Sequence, residues 1–190
     1  IFIVELSNLN IKNGLCISLG ANIDSKFGRP SDTLINSRPM VEDIIKNWIK
    51  KFFIVQNKFN TTETKFCWSS LYLSNPHGIS EPQPDYINTL LLVKSSYLQE
   101  PCPKKTKYLL FKLKILEKEY GRKINKDNKK WQSRCLDLDI LWWENLNYED
   151  DELTLPHPRF LNRNFVITPL AEVLNRSQKV DRLIDKRWQV

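Results

Sequence analysis

Two aspartates separated by a single residue are the clearest sign of chemistry in this sequence. Asp137 and Asp139 lie in a short apolar segment that has the composition of a strand. Since side chains alternate along a strand, both carboxylates face one way, while Leu136, Leu138 and Ile140 face the core. Mg²⁺ prefers such oxygen ligands and commonly takes one or two carboxylates together with substrate phosphates. The pair therefore predicts a magnesium site, with a solvated face of an edge strand as the alternative.

Two arginines frame the segment before these aspartates. Arg122 begins and Arg134 ends a polar stretch, 122–134, which has no periodicity and is expected to form a mobile loop. A guanidinium group keeps its charge and matches phosphate oxygens with parallel donors. Arginines on a closable loop beside carboxylate-bound Mg²⁺ make a site for phosphoryl transfer. The alternative for this stretch is a lysine-rich surface turn.

Positive charge is concentrated around the same loop. The chain has 29 Lys and Arg against 22 Asp and Glu, a formal net charge of +7. Residues 104–134 hold twelve Lys and Arg and three acidic residues, so this segment is +9 and the remainder is −2. A local basic patch favours a polyanion, either nucleotide phosphates or a nucleic acid. A membrane surface is not expected, because no basic amphipathic helix has an aromatic anchoring face.

Two further cationic residues follow the aspartates. His157 stands between two prolines in a rigid, extended segment, where it could donate to a phosphate oxygen or cap a turn. Arg163 is another candidate phosphate ligand, and a surface salt bridge is its alternative. The sequence has neither a P-loop nor a dinucleotide-binding glycine motif, so a nucleotide would be held mainly by side chains.

A separate group of residues suits a flat heterocycle. Tyr86 and Asn88 share one face of a strand predicted over 86–95, and Phe165 could supply a second aromatic ring. Aromatic rings stack on a heterocycle, while an amide forms hydrogen bonds with its edge. Taken singly, each of the three residues is better explained as part of the core.

The predicted elements follow the order β-α-β-β-α-β with additions, which is the split-βαβ pattern of a ferredoxin-like α+β sandwich. We expect a mostly antiparallel sheet with helices packed on it and an added hairpin. The predicted segments are a strand over 15–19, a loop to Pro39, a helix over 41–52, strands over 64–73 and 86–95, a helix over 109–120 ended by Gly121, a strand over 135–143, a hairpin over 145–155, a helix over 163–174 and a short helix over 178–188.

Length and composition set limits on the class of protein. The 190 residues fit a single domain with its core at about 15–175, and no apolar run reaches the ~18 residues that span a bilayer. The first residues are too acidic for a signal peptide. The four cysteines are far apart, which argues against a zinc site or a disulfide framework. We therefore expect a cytoplasmic protein.

Seven segments match a known family in the same order along the chain. They are LGAN (19–22), SSLY (69–72), PQPDYIN (82–88), GR (121–122), WQSRCLDLDIL (131–141), LTLPHPRF (153–160) and RNFVITPLAEV (163–173). Together they resemble the 6-hydroxymethyl-7,8-dihydropterin pyrophosphokinases of folate biosynthesis. The resemblance implies a ferredoxin-like enzyme that transfers pyrophosphate from ATP to the hydroxymethyl group of the pterin and releases AMP.

The resemblance also implies roles for individual residues. Asp137 and Asp139 would hold two Mg²⁺ ions, and Arg122 and Arg134 would clamp the phosphates from a mobile loop. The nucleotide would be bordered by Glu117, Trp131, Arg134, Ile140, Thr154, His157 and Arg163. The pterin would lie between Tyr86 and Phe165, with hydrogen bonds from Asn88 and from the loop that contains Ser74 and Pro76.

The chain departs from the family pattern at several positions. Lys114 stands where a Gln is often found, Cys135 replaces a Thr, and Ala21 replaces a Ser. The loop over 122–134 is about two residues longer than usual, and Lys123 stands near the place of a second arginine. These changes concern loop movement and nucleotide affinity more than the reaction.

A nucleic-acid-binding module is the competing interpretation. A ferredoxin-like sheet can stack bases, and the basic segment could follow a phosphate backbone. However, no strand has an aromatic cluster of the RNA-recognition type, and two carboxylates without a metal would repel phosphates. We therefore expect ATP and the pterin as partners, without nucleic acid or membrane, and a monomer with a weak homodimer as the alternative.

Overall fold

The computed structural model describes residues 14–53, 63–76, 82–122, 132–158, 160 and 163–177. Within these ranges, no helix is both long and apolar enough to cross a membrane. The predicted terminal helix over 178–188 lies outside the described residues.

A five-stranded antiparallel sheet forms the centre of the described part. The strands are β1 Leu15–Ala21, β2 Thr64–Trp68, β3 Tyr72–Ser74, β4 Tyr86–Ser95, β5 Asp137–Trp143, β6 Tyr148–Glu149 and β7 Thr154–Leu155. Strand β1 lies between β4 and β5, and β4 pairs on its other side with β2 and then β3. A small separate sheet consists of β6 and β7.

Helices cover both faces of this sheet. They are α1 Pro30–Phe53, α2 Pro103–Glu119 and α3 Asn164–Ser177, with a 3₁₀ turn at Ser96–Leu98. Buried residues of α1 and α2 share one core with one face of the sheet. Val166 and Leu170 of α3 pack on the other face. The order of elements and of strands confirms the predicted ferredoxin-like α+β sandwich, with β6 and β7 as its added hairpin.

Strand β4 shows how the sequence divides the two cores. Leu91 and Val93 belong to the core beneath α1 and α2. Leu90 and Leu92 alternate with them and belong to the core beneath α3. The predicted alternation over 86–95 is therefore confirmed, and both faces of the strand are buried because helices cover both sides of the sheet.

The predicted start of the first helix was wrong. The loop predicted to continue to Pro39 ends earlier, because the helix begins at Pro30 and includes Pro39. Buried positions recur upstream of Pro39 at helical spacing, at Leu34 and Ser37, and continue to Val41. Proline at the first position suits a helix start, so Pro30 and not Pro39 supplies the start signal. Packing of the longer buried stripe offsets the hydrogen bond that the internal proline cannot donate.

The predicted strand over 64–73 is two strands. Trp68 pairs with Leu91 and Tyr72 pairs with Asn88. Three residues lie between Trp68 and Tyr72, but only two lie between their partners in β4, so one residue cannot pair. Ser69 compensates, because its backbone N–H donates to the Leu90 carbonyl at 2.8 Å and its Oγ accepts from the Leu90 N–H at 2.9 Å. Other bounds differ by a few residues: β1 continues to Ala21, α2 begins at Pro103, β5 begins at Asp137 and α3 covers 164–177.

Candidate active site

The end of α2 holds the outer edge of β5 between the two aspartates. Because β5 is the edge strand of the sheet in the described part of the chain, no described strand pairs with the backbone N–H and carbonyl of Leu138 on the outer side. The N–H donates to Glu117 Oε1 at 2.7 Å, and the carbonyl accepts from Lys114 Nζ at 2.8 Å. These two contacts fix the backbone from which Asp137 and Asp139 project.

A glycine turn at the end of α2 places Arg122. Gly121 has a φ of 103°, a conformation that glycine adopts without a steric penalty. The Arg122 N–H donates to the Glu117 carbonyl at 3.0 Å and the Gly121 N–H donates to the Lys118 carbonyl at 3.0 Å. This is the Schellman arrangement that ends many helices. It returns the chain toward β5, so the guanidinium of Arg122 reaches both Glu117 and Asp137.

Asn22, at the end of β1, holds the backbone of Arg134 from both sides. The Arg134 N–H donates to Asn22 Oδ1 at 2.7 Å, and the Asn22 N–H donates to the Arg134 carbonyl at 2.9 Å. Asn22 Nδ2 also donates to the Pro84 carbonyl at 3.2 Å and lies 3.3 Å from Ser133 Oγ. With only 2% of its surface exposed, Asn22 connects the segment before β4 with the segment before β5.

The two predicted arginines meet at Asp137. Arg122 Nη1 lies 2.9 Å from Asp137 Oδ1, and Arg134 Nη1 donates to Asp137 Oδ2. Burial alone would raise the pKa of Asp137, but the positive charges of Arg134, Lys114 and Arg122 outweigh it and hold this pKa below its ordinary value. Burial lowers the pKa of Arg134, and the negative charge of Asp137 outweighs it and raises this pKa. Asp137 is therefore an ionised anchor for both guanidinium groups.

Glu117 is a buried carboxylate at the centre of the same group. Its side chain is 1% exposed and accepts hydrogen bonds from Lys114, Arg122 and the Leu138 N–H. Burial raises the pKa of Glu117, and the positive charge of Lys114 acts against this shift. Three donors and no acceptor suit an ionised carboxylate. Glu117 therefore binds groups of the chain itself and positions Arg122 relative to β5.

Asp139 is the more accessible of the two aspartates. Its side chain is 32% exposed and pairs with Lys114, whose Nζ lies 3.5 Å from Oδ1. No group of three or more His, Cys, Asp or Glu side chains is arranged to hold a metal ion in the part of the chain that the structure describes. Two carboxylates that leave further positions to phosphate and water are the set that Mg²⁺ commonly uses. The residues present fit that ion.

Of the residues predicted to hold a heterocycle, Ser74, Pro76, Tyr86 and Asn88 lie around the start of β4, whereas Phe165 packs against the core beneath α3. Asn88 Nδ2 donates to Ser74 Oγ at 2.9 Å, so these two predicted residues are in contact. Tyr86 Oη lies 3.4 Å from the Gln132 carbonyl, and burial raises the pKa of its phenol. Pro76 is partly buried just after β3. This group borders the segment that carries Arg134.

The remaining predicted residues lie on β5 and on the chain that follows it. Ile140 pairs with Ile17 of β1 and is 3% exposed. Thr154 begins β7 and is partly buried. The His157 N–H donates to the Leu141 carbonyl at 2.7 Å, two residues beyond Asp139. The guanidinium carbon of Arg163 lies 5.4 Å from the centre of the Phe165 ring, near the start of α3. Trp131 lies outside the described residues.

An open cleft of about 870 Å³ lies beside the start of α1. Ile23, Ile35, Pro84 and Ile87 contribute to its lining, and so does Asn22. None of the predicted site residues lines it. The cleft is mainly apolar, whereas the charged groups lie together at β5 and the end of α2, so we assign the chemistry to the charged group.

Sequence reasoning gave Asn22 no role and gave Lys114 only a note as a variant position. Neither has a spacing that marks it, because each acts on a residue far along the chain. Asn22 is a single polar residue at the end of an apolar strand, which is a weak signal of a buried hydrogen-bonding role.

The fold is a ferredoxin-like α+β sandwich. At its site, two arginines bind one carboxylate and a second, accessible carboxylate lies beside them, an arrangement suited to binding phosphate groups. The family model described as 7,8-dihydro-6-hydroxymethylpterin-pyrophosphokinase (HPPK) matches residues 16–175. The chain belongs to this family, the pyrophosphokinases of folate biosynthesis.

Similar proteins carry the name 2-amino-4-hydroxy-6-hydroxymethyldihydropteridine pyrophosphokinase. The one from Haemophilus influenzae is 39% identical over 121 residues, which are 61% of this chain and 69% of that protein. The one from Synechocystis is 40% identical over 105 residues, 55% of this chain and 48% of that protein. The one from Bacillus subtilis is 35% identical over 111 residues, 58% of this chain and 60% of that protein.

Proposed function

We propose that this chain transfers the terminal pyrophosphate of ATP to the hydroxymethyl group of 6-hydroxymethyl-7,8-dihydropterin, with release of AMP. The observation that carries the proposal is the junction of α2 and β5, where Arg122 and Arg134 converge on Asp137 beside the accessible Asp139. Membership of the pyrophosphokinase family supports the choice of substrates. The partners that we propose are these two small molecules.

Asp137 and Asp139 would hold Mg²⁺ at this junction, and we propose two ions. When bound, the metal would neutralise phosphate charge and orient the triphosphate. Asp137 contributes a carboxylate that the surrounding positive charges keep ionised. Asp139 contributes a side chain that is 32% exposed, so its carboxylate is accessible to a hydrated cation.

Arg122 and Arg134 would bind the phosphates and stabilise the negative charge that develops during in-line attack on the β-phosphorus. Their contacts with Asp137 and Glu117 hold both guanidinium groups before substrate arrives. Such preorganised donors reduce the reorganisation that the reaction requires, and each is worth about 2–4 kcal/mol of transition-state stabilisation. The hydroxyl proton of the pterin could leave to Asp139 or to solvent.

The other predicted residues would hold the two substrates. Asn88 and Ser74 would form hydrogen bonds with the pterin beside Pro76, and Tyr86 and Phe165 would stack on it. The contact of Tyr86 with the carbonyl of Gln132, two residues before Arg134, supports a pterin close to the transferred phosphate. For the nucleotide we propose Trp131, Ile140, Thr154, His157 and Arg163. Glu117 would take part through its contact with Arg122.

The test is the identity of the nucleotide product. Purified protein with ATP, Mg²⁺ and 6-hydroxymethyl-7,8-dihydropterin should form AMP, and AMP formation should require the pterin and stop when EDTA removes the metal. Separation of AMP, ADP and ATP by ion-exchange chromatography gives the result. ADP as the product, or turnover that is independent of the pterin, would contradict the proposal.

Replacing Asn22 with leucine should lower kcat by about 10- to 100-fold, because small displacements of a catalytic group have effects of this size. The substitution keeps the number and branching of the side-chain heavy atoms and removes the side-chain contacts with the Arg134 N–H and the Pro84 carbonyl. Steady-state kinetics for both substrates measures the effect. Asn47→Leu, on the exposed surface of α1, is the matched control. A folded Asn22→Leu protein with normal kcat would show that these contacts do not position Arg134.

A further inference from the structure

Lys114 adds a positive charge directly beside the proposed metal-binding aspartates. Its Nζ lies 2.7 Å from Glu117 Oε1 and 3.5 Å from Asp139 Oδ1, and it donates to the Leu138 carbonyl at 2.8 Å. The contacts with Glu117 and Leu138 are hydrogen bonds, and the longer contact with Asp139 is an ion pair. The side chain is 34% exposed, so the charge stands at the rim of the site rather than in the core.

The formal charges of this group cancel because of Lys114. Three carboxylates, those of Glu117, Asp137 and Asp139, face three cations, those of Lys114, Arg122 and Arg134. A neutral residue of similar length at position 114 would leave the group with a net charge of −1. The group of six charged side chains is therefore neutral overall, and a cation that approaches Asp139 meets the ammonium group of Lys114 beside Oδ1.

We infer that Lys114 is an internal counter-ion that weakens the binding of divalent cations to Asp139 in the nucleotide-free protein. The inference rests on the metal site proposed above. Like charges repel, and an ammonium group 3.5 Å from a ligand oxygen also competes with the metal for that oxygen. The metal then binds well only with the triphosphate, whose negative charges restore the attraction. Lys114 thus acts through Asp139, by lowering the affinity of this carboxylate for the metal.

Glutamine is the informative substitution. Lys114→Gln keeps an N–H donor for the Leu138 carbonyl and for Glu117 but removes the charge. Mn²⁺ can replace Mg²⁺ as a probe, because both prefer carboxylate and water ligands. We expect the dissociation constant of Mn²⁺, measured by electron paramagnetic resonance without nucleotide, to fall about two- to fivefold, the range of a partly exposed ion pair. The difference should shrink as the salt concentration rises.

Two control variants separate a local effect from a general one. Lys118→Gln removes the same charge from an exposed position on the same helix and should leave Mn²⁺ affinity unchanged. Lys114→Arg keeps the charge and should bind Mn²⁺ like the original protein. Thermal unfolding of each variant confirms that it is folded.

Several results would overturn the inference. Unchanged or weaker Mn²⁺ binding in Lys114→Gln would do so, and so would an equal gain in Lys118→Gln. If Asp139→Asn leaves Mn²⁺ binding unchanged, then the metal site is elsewhere and the role of Lys114 fails with it. The AMP assay is independent of these titrations, so failure of the proposed reaction with a positive Lys114→Gln result would leave the inference standing.

Discussion

Asp137→Asn should lower the rate of AMP formation by about 10³-fold or more, which corresponds to about 4 kcal/mol of transition-state stabilisation. The substitution keeps the shape of the side chain and removes a negative charge that would bind the metal. It also removes the ion pairs with Arg122 and Arg134, because an amide offers a neutral oxygen to two cations. The initial rate of AMP formation at saturating ATP and pterin measures the effect.

The control for this variant is Asp43→Asn. The side chain of Asp43 is 70% exposed on α1 and pairs with Lys46. Exposed pairs of this kind contribute about 0–1 kcal/mol, so this variant should retain its activity and its stability. A folded Asp137→Asn protein that keeps more than about a tenth of the original rate would place the metal or the phosphates elsewhere.

Arg134→Ala should have the second largest effect, a fall in kcat of about 10²- to 10³-fold. Arg134 has the largest opposing electrostatic influence on Asp137, and its backbone is held by Asn22. The alanine variant keeps those backbone contacts and loses only the guanidinium group. Single-turnover measurements, in which product release has no influence, should show the loss in the transfer step itself.

Two comparisons define what the Arg134→Ala result means. Arg29→Ala removes a guanidinium group that is 78% exposed near the start of α1 and should change kcat little. Arg134→Lys keeps a charge but loses the planar fork, so we expect only partial recovery. Normal single-turnover rates in a folded Arg134→Ala protein would mean that Arg122 alone serves the phosphates.

The aspartate pair could be predicted from the sequence because its signal is local. Asp137 and Asp139 alternate with buried leucines, and in a strand this alternation puts both carboxylates on the same face. The same holds for β4, where a run of alternating residues divides two cores. Local periodicity was enough for both, and it also gave the order of the elements.

The contacts that hold the site together could not be predicted in this way. Glu117 and Lys114 reach Leu138 across more than 20 residues of chain, and this contact depends on how α2 packs against the edge of the sheet. Asn22 reaches Arg134 across 112 residues. The local periodicity of the sequence contains no information about contacts between residues so far apart in the chain. The start of α1 was predicted too late for a different reason. Both Pro30 and Pro39 are compatible with a helix start, and the helix begins at Pro30.

The central claim is that two phosphates move together to the pterin, and ATP labelled at the β-phosphorus tests it most directly. In pyrophosphate transfer the label leaves the nucleotide with the γ-phosphate, so we predict labelled pterin diphosphate and unlabelled AMP. A transfer of the γ-phosphate alone would leave the label in ADP. Label in ADP, with an unlabelled pterin product, would contradict the assignment of this site to pyrophosphate transfer.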